Sequence, residues 1–278
     1  MRLRRPAAAA AALLLCASPV LAAPGTTPFE FLSLDADARA VALGGAYTAL
    51  ASDANALLYN PGGLGLVPRS EAAFMHDEHF QGVHQEYASY ADRRGWGAQL
   101  NYLSYGDIPK TTISNKDGAG LGSYGIQDLA VSGGYGRRLT PALAVGGALK
   151  YVREDIEDVS AQGTALDAGV LYASPALPGL RLGAALRNFG PDVKFQTEAE
   201  KLPLQLRGGA AYAANLFGQR GSLSVDVLKS RGEAPTVAAG VETVLAGLMA
   251  LRLGYDMRND AGLGLTAGVG WRTRAFDI

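Results

Sequence analysis

Bulky apolar residues recur at every second position over much of the chain. In 249–258, Met249, Leu251, Leu253, Tyr255 and Met257 alternate with Ala250, Arg252, Gly254, Asp256 and Arg258. Successive side chains of a strand point to opposite faces, so this order puts an apolar stripe on one side and small or charged groups on the other. Wound as a helix, the same residues would bring Arg252 within one turn of both Met249 and Tyr255 and break the stripe. The pattern returns in Leu263, Leu265, Ala267, Val269 and Trp271, and in Trp96, Ala98, Leu100 and Tyr102. It predicts strands near 71–78, 83–91, 96–105, 125–138, 142–154, 161–173, 179–189, 203–214, 221–230, 235–245, 248–258 and 261–273, twelve in all.

Most of the later segments are about 10 residues or longer, the length a tilted strand needs to cross a bilayer. Aromatic residues close many of them, as Tyr135, Tyr172, Tyr212 and Trp271 do. The connections also alternate. Links at 92–95, 139–141 and 246–247 are short, whereas 106–124, 190–202 and the acidic 154–160 lie at the opposite ends. Short turns at one rim, longer loops at the other and bulky residues facing outward predict an all-β, transmembrane antiparallel barrel. Arg181, Arg187, Arg207, Asp226, Glu242, Arg252, Asp256 and Arg272 then face the lumen, since an Arg on the lipid face costs about 2–4 kcal/mol at the midplane. Bacterial single-chain barrels close with an even number of strands. With a further strand opening near Ala275, about 14 are expected in the complete protein and about 12 here.

Residues 1–22 read as an export signal: Arg2, Arg4 and Arg5, then an apolar run, then Val20 and Ala22 as small residues before the cut. Residues 23–70 form an N-terminal segment and 71–278 the barrel. The one Cys, Cys16, falls in the leader, so no disulfide framework holds the mature chain. Charged residues make up 18%, below the roughly 25% of soluble domains. Removing three Arg from 25 basic residues against 26 acidic ones leaves a net acidic chain, which argues against nucleic acid as a partner.

Residues 34–66 depart from the alternation. A short helix over 35–43 leads to Gly44-Gly45, and a second piece, near 53–58, must stop before Pro61, which lacks a backbone donor and restricts Asn60. The block ARAVALGGAYTALASDANALLYNPGGLG (38–65), followed by a first strand with His and aromatic residues, resembles the PorV/PorQ family, part of the FadL-like group of barrels. The resemblance implies a fourteen-stranded barrel whose N-terminal segment folds inward as a plug. Gly44, Gly45, Asn60, Pro61 and Gly62 would then belong to the plug and its seat, with Gly62 standing where the family often has Ala. It also implies an outer-membrane, non-enzymatic protein that handles secreted proteins at the cell surface in a type IX-like export system. The alternative is a FadL-like transporter passing a small hydrophobic solute. The first reading puts function in 106–124 and 190–202, the second in an apolar pocket beside the plug.

Other candidate chemistry is thin. His76, His79 and His84 cluster with Asp77 and Glu78, but only His76 and Glu78 share a strand face, so an exposed rim hairpin is expected rather than a metal centre. The stretch 120–125 has dinucleotide-motif glycines without the strand and helix that give the motif its function. No Gly-x-Ser-x-Gly elbow occurs, and neither catalytic residues nor cofactors are expected.

Overall fold

The computed structural model describes residues 28–195, 198–216, 218–259 and 262–273. The expected leader, 1–22, and the strand expected from Ala275 lie outside the described residues. The chain order of strands is β1 (Glu71–Glu78), β2 (His84–Ala91), β3 (Trp96–Pro109), β4 (Ser123–Arg138), β5 (Leu143–Ile156), β6 (Val159–Ala173) and β7 (Leu180–Phe189). The short β8 (Val193–Phe195) and β9 (Glu198–Glu200) follow, then β10 (Gln205–Leu216), β11 (Gln219–Ser230), β12 (Thr236–Leu245), β13 (Met249–Asp256) and β14 (Leu265–Trp271). All but β8 and β9 form one 12-stranded antiparallel sheet in chain order. Its edges are β1 and β14, and among the described residues these two do not pair with each other.

The period of two places the faces as expected. Leu253, Leu265 and Val269 are 65%, 70% and 70% exposed, while Arg252 and Glu242 are buried. Tyr90, Trp96, Tyr135, Tyr172, Tyr212 and Trp271 face outward near the short-turn rim, and Trp96 and Tyr135 pack with ring centroids 4.8 Å apart. Rings with an apolar body and a polar edge settle where hydrocarbon meets headgroups. Among the described residues no helix is long and apolar enough to cross a membrane.

Three expected loops need correction. β3 and β4 pair on past a register shift at Ser104/Asp107, so 106–124 shrinks to 110–122. A bulge inserts a residue and switches faces, which hides the strand from a period-two reading; Gly106, with φ 67°, sits in it. The acidic 154–160 is mostly strand, because its charges lie beyond the apolar belt, where Arg153 pairs with Asp155 at 2.8 Å. Only Glu157 and Asp158 form the turn. Finally, 190–202 carries the β8–β9 hairpin and buries Val193 and Leu202.

The N-terminal segment has short 3-10 turns at Glu30–Ser33 and Pro61–Leu66 and helices α1 (Ala38–Ala42) and α2 (Ala56–Tyr59). It touches every strand of the large sheet. Asp37 N–H reaches Met75 of β1, and Asn55 shares a hydrogen bond with Ser89 of β2. Gly97, Gly136, Gly146, Gly169, Gly183 and Gly209, on β3–β7 and β10, lie under its side chains or backbone so closely that a Cβ on any of them would collide. Thr48 reaches Asp226 of β11, and Gly240, Gly254 and Gly268 of β12–β14 meet Leu43, Gly44 and Ala42 in the same way. The sheet is wrapped around this segment, and Ala40, Leu43, Tyr47, Leu57 and Tyr59 are fully enclosed.

Candidate functional site in the filled lumen

The segment is held by ions as well as by packing. Arg39, on α1, donates from Nε and Nη2 to the two oxygens of Glu242 at 2.9 and 2.8 Å, and Arg252 Nε donates to the same carboxylate at 2.8 Å. A bidentate guanidinium–carboxylate pair fixes orientation as well as charge. Arg39 Nη1 also donates to Tyr47 Oη at 2.9 Å, and that hydroxyl donates to Asp53. One turn of chain therefore rests on charges from β12 and β13.

A second cluster lies between β10, β11 and the chain after α1. Asp226 accepts from Tyr47 N, Thr48 N and Thr48 Oγ1 at 3.1, 2.9 and 2.5 Å. Arg207 Nη2 donates to the Gly45 carbonyl at 2.6 Å, and its guanidinium lies 5.2 Å from the Tyr59 ring centroid. Asp35 joins Arg207, at 3.7 Å, to Arg258, which also pairs with Asp256 at 2.8 Å. The guanidinium groups of Arg258 and Arg207 hold the Asp35 carboxyl below the ordinary range although burial works against them.

Gly44 and Gly45 have φ of 66° and 78°, and a Cβ on Gly44 would enter the Tyr255 backbone, so the turn requires glycine. Asn60 is fully buried: Nδ2 donates to the Thr48 and Val170 carbonyls, both at 3.0 Å, and Oδ1 accepts from Gly62 N at 3.1 Å. It thus ties the segment to itself and to β6. The Pro61 carbonyl presses on Gly136 and Gly146, and a Cβ on Gly62 would come 2.9 Å from the Gly169 carbonyl oxygen.

Of the charges expected inside, Arg187, Arg207, Asp226, Glu242 and Arg252 are buried, and Arg181, Asp256 and Arg272 are partly so. They do not converge on one point. Arg187 instead reaches the Leu32 carbonyl at 3.1 Å, and Arg181 donates to Ser52 Oγ at 3.5 Å. Sequence reasoning missed Asp35, Arg39 and Asp53, although a lone charge in an Ala-rich buried stretch signals a partner. It also missed Lys150, which pairs with Asp167 at 3.0 Å and donates to Asn188 at 2.6 Å. Near the long-loop rim, Phe29, Phe31 and Leu32 pack with Leu103, Val152, Val193 and Leu202. His76 bonds Glu86 across β1 and β2 at 2.7 Å, exposed on the outer face. Among the described residues no group of three or more His, Cys, Asp or Glu could hold a metal ion.

The family model described as "Uncharacterised protein family (UPF0164)" matches residues 5–170, more than half of the chain. The chain belongs to this family. The match includes the 38–65 block, and it names UPF0164 where those residues resembled PorV/PorQ. No curated protein sequence matches. Among solved structures, the UPF0164 chain is similar to the Pseudomonas putida toluene transporter TodX, at 14% identity and TM-score 0.57, covering 86% of this chain and 89% of that one. The Ralstonia pickettii toluene transporter TbuX gives 15%, 0.54, 84% and 87%, and a Pseudomonas aeruginosa FadL homologue 10%, 0.48, 86% and 86%. At these identities the likeness to TodX and TbuX is one of fold. With that fold and a belt of exposed Leu, Val and aromatic side chains around it, this UPF0164 protein sits in the outer membrane.

Proposed function

We propose that this UPF0164 protein passes small hydrophobic solutes across the outer membrane, with residues 29–67 as the gate. One observation carries the reading: the lumen is filled by a segment of the same chain whose side chains at the long-loop mouth pack in an apolar cluster. Phe29, Phe31 and Leu32 meet Leu103, Val152 and Leu202 there, and a hydrophobic solute offers equivalent contact. The fold shared with transporters named for toluene supports the same reading. The export role rests on the family resemblance alone, and the shortening of 106–124 leaves it less loop to work with.

The mature chain lacks Cys, so a disulfide lock is a clean test. A Cβ on Gly163 would lie 3.8 Å from that of Val193, a separation typical of disulfides. Gly163→Cys with Val193→Cys should bind the 190–202 hairpin to β6 over the mouth. Cells producing this variant should take up labelled toluene only after reduction. Uptake that is equal in the oxidised and reduced forms, or no greater than in cells without the protein, refutes the reading. Secreted proteins that co-purify regardless of the lock favour the export role.

A further inference from the structure

The short-turn rim of the sheet carries a cluster of exposed arginines. At the short-turn rim, Arg93 and Arg94 lie in the β2–β3 turn, Arg137 and Arg138 end β4, and Arg220 begins β11; all are exposed. The acids near them are Glu71 and Asp92, and the Asp92 carboxylate accepts from Arg94 N at 2.7 Å. At the long-loop rim the exposed charges are of both signs, with Glu78, Asp117, Glu157 and Asp158 beside Lys116, Lys194, Lys229 and Arg231.

The height of the arginines is fixed by their neighbours. Trp96 and Tyr135 stack on the outer face and mark the edge of the hydrocarbon. Arg137 follows Tyr135 by two residues on the same face, so it stands about 6.5 Å further along the strand, at headgroup depth. Arg93 and Arg94 precede Trp96 by two or three residues and reach the same level. Among the described residues, Arg93, Arg137 and Arg138 make no ion pair. Guanidinium groups match phosphate in charge and in bidentate geometry.

We infer that this rim is a docking surface for anionic phospholipid headgroups of the inner leaflet, gripped by Arg93, Arg94, Arg137 and Arg138 below the aromatic belt. Short turns of outer-membrane barrels face the periplasm, which assigns the leaflet. Arg93, Arg94, Arg137 and Arg138 lie on neighbouring turns beside the paired ends of β3 and β4, at the level where Trp96 and Tyr135 mark the headgroups, and that position suits a lipid surface better than a protein partner. The inference is independent of what passes the lumen.

The test uses the full chain in nanodiscs of phosphatidylcholine with graded phosphatidylglycerol, with retained lipids counted by native mass spectrometry. The wild type should retain phosphatidylglycerol over phosphatidylcholine. The quadruple variant R93Q/R94Q/R137Q/R138Q should lose at least about tenfold in that preference, each arginine near an anionic surface being worth about fivefold. The quadruple Arg→Lys variant, which keeps the charge, should retain most of it. Equal retention of the two lipids by the wild type overturns the proposal, and needs no variant to fold. So does an unchanged preference in the folded Gln variant.

Discussion

Replacing Glu242 by Gln strikes the contact on which α1 rests. The carboxylate is buried and receives three charge-assisted hydrogen bonds, two from Arg39 and one from Arg252. Removing one partner of a buried pair costs about 3–5 kcal/mol, because the other charge stays desolvated. Here Asp53 lies 3.5 Å from Arg39, whose side chain is 25% exposed, so about 2–3 kcal/mol is expected. That cost falls on the seating of the luminal segment and not on the strand ladder. Amide hydrogen exchange over 38–50 should therefore accelerate roughly 30- to 140-fold, at tenfold per 1.4 kcal/mol. Peptides from β4 and β5 should keep their protection. Adding Arg39→Met to the same variant should cost less than the two single changes summed, since both remove the same Arg39–Glu242 pair. An exchange rate over 38–50 within twofold of the wild type would refute the claim that this carboxylate anchors the segment.

Other expectations follow from the same geometry. Gly146→Ala should unseat the segment by about 1–3 kcal/mol, because its Cβ meets the backbone of Pro61 and Gly62, whereas Gly133→Ala, with open space around it, should be neutral in thermal denaturation. Asn60→Ala strands the Thr48 and Val170 carbonyls and should cost about 3 kcal/mol, read as faster exchange over 46–64. Burial, and then the Asp53 charge, push the Asp37 carboxyl from 3.8 to about 7. The seated segment thus binds a proton more readily than the free chain, so its protection from protease should weaken as pH rises from about 4 to about 7. Asp37→Asn should flatten that dependence, and a profile that persists unchanged counts against the assignment.

How much was readable from the residues differs between wall and interior. The wall obeys a local rule, and the strand ends fall within a few residues of the alternation wherever it is unbroken, as in 71–78 and 235–245. It fails where a bulge shifts the phase, at Ser104/Asp107, and where polar pairing continues above the lipid, at Arg153 and Asp155. Which inward charges meet which parts of the segment is set by contacts more than 150 residues apart, such as Arg39 with Glu242 and Arg207 with Gly45. No spacing rule encodes those. The inner glycines were legible only as one half of an alternation. Their purpose is to let a second backbone lie against the sheet, and that shows only when Pro61 is found over Gly146.

The anchoring along the segment is uneven, and this bears on how a gate could work. From Arg39 to Leu64 it is tied by buried ions at Glu242 and Asp226, by Asn60, and by backbone pressed on wall glycines. Releasing that part would strand several buried charges at once. From Phe29 to Ser33 the polar ties include Phe29 N to Glu154 at 2.7 Å, Arg187 to the Leu32 carbonyl at 3.1 Å, and Arg258 to the Ser33 carbonyl at 3.2 Å. Beside them stands the apolar packing of Phe29, Phe31 and Leu32, worth about 1.5–3 kcal/mol per side chain, which an incoming hydrocarbon can replace. The upper piece should therefore open first and alone. Hydrogen exchange in 29–34 should be faster than in 39–64, and saturating toluene should raise it there while leaving 39–64 unchanged. Exchange of the whole segment as a single unit, with or without toluene, would defeat the idea that the gate is its upper end.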